Sequence, residues 1–192
     1  MSTWTALRYA VIDVEGNGHQ PPDLVELAVV PIIGGTIRPP QDWMVRPDQP
    51  ITGLARRIHG ITNEELAHAN TFADVADAVR DALDVDAVVA HAAHVDVGLL
   101  QRKLGEWECP EIFDTLKLAR RLLPGRDSYK LGALAESLAL VGDLAERLKP
   151  HQAEYDATVC ARLFTYLATQ HSLDDLRGLP PEGERNDAAT LF

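Results

Sequence analysis

The chain has 192 residues, of which 46% are hydrophobic, and it carries a net charge of −11 at pH 7. This size suits one globular domain with a sizeable core and is too small for two comfortable domains. The acidic balance argues against binding nucleic acid through a broad basic surface, because such binding depends on Lys and Arg releasing counterions from phosphates. Any contact with a phosphate backbone is therefore expected to be short in range and assisted by metal ions.

The sequence also argues against export and membrane insertion. Residues 1–6 lack the basic and apolar regions of a signal peptide, and Glu26 and Asp96 interrupt the longest apolar runs. Cys109 and Cys160 lie far apart and form no C-x-x-C pattern, so they indicate neither a disulfide framework nor a thiolate metal site. We therefore expect a cytoplasmic protein with no membrane segment.

In chain order, the first half predicts a hairpin, a helix and a buried strand. Apolar, β-branched runs predict strands at 8–14 and 24–33, and Gly34-Gly35 predicts a two-residue turn into a short strand. Thr71 is the predicted N-cap of a helix that reaches Leu83, because apolar residues recur there at helical spacing. Residues 85–90 then predict a buried strand.

The second half predicts helices alternating with one short strand. The strand is Ile112-Phe113, and the helices cover about 95–104, 115–123, 131–140 and 154–168. A hairpin followed by such alternation indicates an α/β fold with a mixed sheet covered by helices. We expect residues 1–170 to form this domain and residues 171–192 to form a polar, acidic tail that is partly mobile.

A pair of acids ends the first predicted strand. Asp13 and Glu15 lie two residues apart, so that both carboxylates are on the same face of the strand. Two adjacent carboxylates repel each other, and a divalent cation such as Mg²⁺ or Mn²⁺ would neutralise them. The alternative is a strand that simply runs out into solvent. The flexible segment 16–18 that follows can bring backbone close to a ligand.

Two further clusters carry chemistry-bearing side chains. Asp96 follows the strand predicted at 85–90 and lies near the start of a helix, where the helix dipole alone could also satisfy it. If the last long helix begins after His151, that histidine lies on the preceding loop while Asp156 is fixed on the helix. Both side chains can then meet one pocket, although His151 taken alone is equally a surface histidine.

One segment is locally basic in this acidic chain. Residues 117–130 contain five Lys or Arg residues and one acid, Asp127. Lys117, Arg120 and Arg121 have the spacing of one helix face. The segment is either a solvated helix face or a strip that guides a phosphate backbone.

Taken together, these clusters resemble the DnaQ-like (DEDDh) 3′→5′ exonuclease family, which includes polymerase proofreading subunits, RNase T and oligoribonuclease. The resemblance covers roughly residues 8 to 168, and five motifs occur in the family's order. They are V-I-D-V-E-G (11–16), I-H-G-I-T (58–62), V-A-H-A-A-H-V-D (89–96), F-D-T-L-K-L-A-R (113–120) and H-Q-A-E-Y-D-A (151–157).

The resemblance implies a ribonuclease H-like fold, with a five-stranded mixed sheet flanked by α-helices, and a mechanism that uses two divalent cations, Mg²⁺ or Mn²⁺. Asp13, Glu15 and Asp156 would hold one ion, and Asp13 with Asp96 would hold the other. Ions about 3.5–4 Å apart stabilise the attacking and leaving oxygens of an in-line displacement. His151 would be the general base that releases a 5′-mononucleotide.

The chain departs from the family pattern around these residues. Family members often have Thr after the first-motif Glu, where this chain has Gly16-Asn17-Gly18, and the common H-N-A-x-F-D has Ala92 and Val95 here. These changes affect the grip on the terminal nucleotide, because Val95 cannot stack on a base. The residues that we assign to substrate binding are Gly16, Asn17, Gly18, His59, His91 and Val95, and His59 is alternatively a histidine that caps a turn.

Three functions follow from this pattern. The preferred one is a free-standing exonuclease that acts on the 3′ ends of single-stranded DNA or RNA. The second is a proofreading or repair subunit that depends on a polymerase or a sliding clamp, which the apolar residues at the end of segment 188–192 could contact. The third, a binding module without turnover, is disfavoured by the intact acid set.

Overall fold

A mixed sheet forms the centre of the computed structural model, which describes residues 3–179. In spatial order the main strands run β3-β2-β1-β5-β6, with β1–β2 antiparallel and β1–β5 and β5–β6 parallel. β3 and β4 pair with successive parts of the same edge of β2, so the six strands make a sheet five strands wide. The strands are β1 (Tyr9–Gly16), β2 (Leu24–Ile33), β3 (Thr36–Ile37), β4 (Gln41–Met44), β5 (Ala87–Ala90) and β6 (Glu111–Asp114).

Eight α-helices surround the sheet within the described range, and five of them correspond to predicted helices. Within residues 3–179, none of the helices combines the length and the apolar character that crossing a bilayer requires. The helices are α1 (Gly53–His59), α2 (Asn63–Leu66), α3 (Phe72–Ala82), α4 (His94–Leu104), α5 (Thr115–Leu122), α6 (Leu131–Ser137), α7 (Ala153–Ala168) and α8 (Leu173–Arg177).

The first half of strand β1 is buried on both faces, and its alternation divides the core into two layers. Tyr9 and Val11 belong to the cluster that packs against α7, whereas Ala10 and Ile12 belong to the cluster that packs against α3 and α4. This is the period of two that a strand imposes on its side chains. Helix α7 therefore covers one face of the sheet, and helices α3 and α4 cover the other.

An aromatic cluster fills the α7 layer at the end of the sheet where β1 begins. The ring of Tyr9 lies 4.9 Å from that of Phe164 on α7 and 5.9 Å from that of Phe113 on β6, measured between centroids. Trp4 closes the cluster from outside, and its backbone carbonyl accepts a hydrogen bond from the Tyr9 hydroxyl at 2.7 Å. These contacts fix α7 across three strands.

Four of the α-helices and strands named above have no predicted counterpart, and exposure explains why. Within α1 only Ala55 and His59 are buried, and α2 buries only Leu66, so that neither helix shows an apolar period. The residues of β4 are exposed or half-buried because the strand lies at a sheet edge. The motif I-H-G-I-T is the junction of the two helices: Gly60, with φ of 82°, ends α1, and Thr62 caps α2.

The fourth of these elements, α8, corrects the prediction that regular structure ends near His171. Leu173 and Leu176 lie one helical turn apart and are both 3% exposed, because they pack onto the core beside α7. Ser172 and Asp175 form a capping box at the start of the helix. The apolar pair was too short to produce a period in the sequence. The segment 188–192 lies outside the described residues.

Candidate active site

The predicted acid pair continues the α7 face of β1 beyond the core. Asp13 and Glu15 follow Tyr9 and Val11 on that face, and their partners on β2 are Ala28 and Glu26. The small side chain of Ala28, which is fully buried, is part of the core that α7 covers. Strand geometry therefore places both carboxylates beside the beginning of α7.

The last motif reaches this position from the opposite side. As predicted, His151 lies on the turn before α7 and Asp156 lies in its first turn. The backbone N–H of His151 donates to Asp156 Oδ2 at 2.9 Å, and Nδ1 of the ring is 3.9 Å from the same oxygen. His151 has φ of 64°, a conformation that glycine favours, so the turn is held in a strained form by its contacts.

Asp96 approaches from the other face of the sheet. It lies in the first turn of α4, is 5% exposed, and its Oδ1 accepts the backbone N–H of Val14 at 3.1 Å. Val14 lies between Asp13 and Glu15 in the sequence, so this hydrogen bond holds Asp96 beside that part of β1. All four predicted acids therefore meet at one end of β1.

The cluster is electrostatically crowded. Burial raises the pKa of Glu15 to about 8, and the charges of Asp156, Glu26 and Asp96 add to this effect. Burial, together with the charges of Asp96 and Asp156, holds the pKa of Asp13 well above its usual range. Glu15 therefore retains a proton at neutral pH unless a cation replaces that proton.

The donor set fits a hard divalent cation. One ligand atom from each of Glu15, His151 and Asp156 lies within 4.8 Å of the other two. Carboxylate oxygens are the ligands that Mg²⁺ and Mn²⁺ prefer. The geometry brings His151 as close to a cation site as the two acids, although the sequence had assigned it only the role of a base.

A cavity of about 1100 Å³ opens beside the acids. Asp13, His151 and Asp156 form one wall, and Arg120, Arg126 and Lys130 lie among the other lining residues, with Tyr129 and Leu131. The cavity therefore combines acids with cations, and the basic side chains come from the segment that the sequence marked as locally basic.

The basic side chains of segment 117–130 have different surroundings in the structure. Arg120 lines the cavity, whereas the guanidinium of Arg121 donates to the carbonyls of Asp175 and Leu176 at the end of α8. Lys117 is 79% exposed at its side chain and lies 4.0 Å from Asp114. The spacing placed these three residues on one face, but α8 occupies part of it.

Two residues assigned to substrate binding have structural roles in the loop after β1. The side-chain oxygen of Asn17, which is 1% exposed, accepts the N–H groups of His19 and Asp23, and its amide nitrogen donates to the carbonyl of Gln49. Gly18 has φ of 84°, and a Cβ there would lie 2.2 Å from Thr52 Oγ1. Both residues shape the loop after β1, which explains this departure from the family pattern.

His91 also makes two hydrogen bonds within the protein. Its Nε2 lies 3.0 Å from the carbonyl of Tyr129 and its Nδ1 lies 2.9 Å from Thr115 Oγ1. A carbonyl only accepts, so Nε2 carries the proton. Burial lowers the pKa of His91, consistent with a neutral ring. His91 ties the end of β5 to the loop that carries Arg126.

The remaining substrate candidates differ in exposure. Val95 is 54% exposed next to Asp96, whereas His59 is 6% exposed and its Nδ1 accepts the N–H of Ile61 at 3.1 Å. His59 therefore has the turn-capping geometry that was its alternative interpretation. Gly16 ends β1, and a Cβ there would approach Pro22 Cβ at 3.3 Å. Contact of any of the six assigned residues with substrate stays a prediction.

The sequence analysis missed one residue of the site. Glu26 is 7% exposed on β2, opposite Glu15, and its Oε2 accepts the N–H of Ala153 at 2.9 Å. We had used Glu26 only as an interruption of an apolar run. The available signal was an acid within the apolar run L-V-E-L-A-V-V. Burying a carboxylate in such a strand is costly unless the carboxylate has a hydrogen-bond partner.

Comparison with known proteins is consistent with this geometry. A family model described as exonuclease, of RNase T type, matches residues 10–164. The 3′-5′ exonuclease DinG of Bacillus subtilis (strain 168) is 33% identical over 180 residues, which are 90% of this chain and 18% of DinG. Exodeoxyribonuclease 10 of Escherichia coli (strain K12) is 35% identical over 175 residues, which are 88% of this chain and 75% of that relative.

A solved structure has the same fold. Exonuclease X in complex with 5′ overhanging duplex DNA superposes with a TM-score of 0.71 at 33% identity, over 88% of this chain and 98% of that one.

Proposed function

The chain belongs to the RNase T-type exonuclease family, the DnaQ-like DEDDh group, and on this premise we propose that it removes nucleotides stepwise from the 3′ end of single-stranded DNA. The observation that carries the proposal is the convergence of Glu15, Asp156 and His151 within 4.8 Å beside a cavity with basic lining residues. DNA is preferred over RNA because a relative is named an exodeoxyribonuclease, and the solved structure of exonuclease X, at 33% identity, holds 5′ overhanging duplex DNA.

The acids would hold two divalent cations. Asp13, Glu15 and Asp156 are the ligands of the first, and Asp13 with Asp96 are those of the second. When bound, such ions supply positive charge that stabilises the attacking and leaving oxygens of a phosphodiester. The raised pKa values of Asp13 and Glu15 support this assignment, because they show carboxyls gathered without compensating charge among the described residues.

His151 would act as the general base. Its side chain is 62% exposed and lines the cavity, while its backbone and ring both lie beside the Asp156 carboxylate. In this position the imidazole can accept the proton of the attacking water as the new P–O bond forms. The bond from phosphorus to the 3′ oxygen of the preceding nucleotide breaks, and that oxygen takes a proton from solvent and stays on the shortened strand as a hydroxyl. A 5′-mononucleotide is released.

The basic side chains give the strand a path to the acids. Arg120, Arg126 and Lys130 line the cavity that ends at Asp13 and Asp156. Lys and Arg at these positions can neutralise phosphates upstream of the cleaved bond. A local path of this kind is compatible with a net charge of −11, because part of the acid excess lies at the proposed cation sites themselves.

One assay tests the proposal. Single-stranded DNA and RNA of one sequence, labelled at the 5′ end, are incubated with Mg²⁺, Mn²⁺ or a chelator, using wild type, Asp13→Ala and the control Asp77→Ala on the exposed face of α3. We expect a ladder that shortens from the 3′ end of DNA, only with metal, in wild type and the control. Hydrolysis that survives both chelation and Asp13→Ala refutes the metal mechanism, and faster RNA cleavage refutes the DNA preference.

A second candidate function is catalysis as part of a larger assembly. It is favoured by the DinG comparison, because this chain spans only 18% of that relative. The segment 188–192, which lies outside the described residues, is the sequence candidate for contact with a sliding clamp. Deleting residues 187–192 and measuring clamp binding tests this function; unchanged binding, or none in wild type, contradicts it.

A further inference from the structure

A fifth acid lies beside the proposed metal ligands without being one of them. Glu26 is paired with Glu15 across β1 and β2, so the two side chains are neighbours on one sheet face. It is 7% exposed. Burying another carboxylate next to four acids is unfavourable, and an apolar residue of this size would fill the same space at a lower cost. A specific contact must therefore account for Glu26.

That contact is made with the first residue of α7. Glu26 Oε2 accepts the N–H of Ala153 at 2.9 Å, and Ala153 is fully buried. The N–H groups of a helix's first turn have no partner inside the helix, and a buried one cannot turn to water. Glu26 therefore supplies from the sheet the cap that α7 needs.

The same end of α7 carries two proposed catalytic groups. His151 lies two residues before Ala153, and Asp156 lies three residues after it. The internal contacts of the turn include the bond from the His151 N–H to Asp156 and a bond from the Lys149 N–H to Gln152 Oε1 at 2.8 Å. These bonds hold the turn's shape, whereas the bond to Glu26 joins the turn to the strand that lies beside Glu15.

We propose that Glu26 is a positioning residue, whose hydrogen bond to Ala153 sets the distance between the β1 acids and the pair formed by His151 and Asp156. This inference rests on the proposed catalytic roles of that pair. Catalysis is sensitive to such a distance, because a displacement of about 1 Å can lower turnover on the order of 10²-fold.

Three substitutions of Glu26 distinguish the effect of the position of its acceptor oxygen from the effect of its charge. Glu26→Gln keeps an acceptor oxygen at the same reach, so we expect kcat close to wild type. Glu26→Asp keeps the charge but withdraws the oxygen by one methylene, and Glu26→Leu removes the acceptor. For both we expect kcat to fall on the order of 10²-fold with little change in KM. Asp42→Asn is the matched control, because the charge of Asp42 acts on Glu26 and the described contacts give Asp42 no bond to α7.

A readout independent of turnover is the hydrogen exchange of the Ala153 amide. We expect faster exchange in Glu26→Asp and Glu26→Leu than in wild type and Glu26→Gln, with melting temperatures confirming that each variant is folded. If Glu26→Leu does not fold, Glu26→Asp carries the test alone. Wild-type kcat in Glu26→Asp, or a loss in Glu26→Gln or Asp42→Asn as large as in Glu26→Asp, overturns the proposal.

Failure of this inference is distinguishable from failure of the proposed function. Asp156→Asn should abolish hydrolysis if Asp156 is a metal ligand. An active Asp156→Asn variant contradicts the proposed function, whereas the Ala153 exchange rates still report whether Glu26 holds α7. Inactive Asp156→Asn with fully active Glu26→Asp contradicts only the positioning role.

Discussion

Strand β1 presents two different surfaces to α7 along one face. At its beginning, Tyr9 and Val11 contact an aromatic and aliphatic core in which Phe164 is fully buried. At its end, Asp13 and Glu15 face the first turn of the same helix. The apolar end stabilises the fold, and the acidic end opposes it, because like charges are brought together there.

One helix, α7, packs against the apolar end of β1 and also borders its acidic end. α7 is anchored at its apolar end, so that its other end can be held close to repelling carboxylates. Substitutions of the acids are therefore expected to lower activity and raise stability. Substitutions at the apolar end are expected to lower stability and leave activity unchanged.

The largest effect is expected at the acidic end. Glu15→Gln should lower exonuclease turnover on the order of 10³-fold, because a lost cation site removes several kcal/mol of charge stabilisation. In chelator at pH 7 the same variant should unfold at a higher urea concentration than wild type, since the substituted amide needs no proton to be buried beside the other acids. Glu106→Gln, at an exposed acid, is the control. A variant that lost both activity and stability would contradict the division between the two ends.

His151→Ala sharpens the comparison within the acidic end. Loss of a general base should reduce kcat about 10²–10⁴-fold, while Mn²⁺ binding measured by calorimetry persists. Near-normal turnover would show that the base has been misassigned. Loss of Mn²⁺ binding would show instead that His151 is a ligand, as its distance from Glu15 and Asp156 allows.

Phe164→Ala tests the apolar end. Removal of this ring from the Tyr9 and Phe113 cluster should lower the free energy of unfolding by about 3–5 kcal/mol. The folded fraction should retain the wild-type kcat at a temperature well below its melting point. A selective loss of kcat without destabilisation would show that the two ends are coupled more closely than the separate clusters indicate.

The pH dependence of stability should come from the acidic end. The pKa of Glu15 is raised from 4.5 to about 8 by burial, so between these values the folded chain keeps a proton that the unfolded chain releases. The free energy of unfolding should therefore fall as pH rises from about 4.5 to about 8 in chelator. Urea titrations at several pH values measure this. Mn²⁺ at pH 8 should restore stability, and Glu15→Gln should flatten the curve.

The smallest effect concerns backbone strain near the acids. Ala92 has φ of 65°, where the family pattern has Asn, a residue that tolerates this conformation. Ala92→Gly should raise the free energy of unfolding by less than about 1 kcal/mol, whereas Ala10→Gly in the apolar part of β1 should lower it by about 1 kcal/mol. Equal signs for the two variants, measured by urea denaturation, would contradict this.

Elements with a buried face could be predicted from the sequence. The capped helix α3 and the long helix α7 bury one residue in every turn, and the strands β1 and β2 bury β-branched runs. The mixed α/β sheet that they predicted is confirmed, and so is the exonuclease family that the five motifs resemble. α1 and β4 escaped prediction because their pairing and exposure depend on neighbours that are distant in sequence.

The acids of the candidate site could be predicted from the sequence. The hydrogen bonds that hold the surrounding residues in place could not. Asp13 and Glu15 were visible because acids at the end of an apolar strand are unusual. The roles of Asn17 and His91 were not, because a sequence does not show which backbone groups a polar side chain meets. Glu26 was missed for the same reason: its partner, Ala153, is far away in the chain.

The order of the site residues along the chain bears on its synthesis. Asp13, Glu15 and Asp96 leave the ribosome well before His151 and Asp156, and the sheet face that α7 covers stays open until that helix is made. A product of premature termination would carry three of the acids and no base. Such fragments would lack the proposed base, so nuclease activity is expected only once α7 has been made.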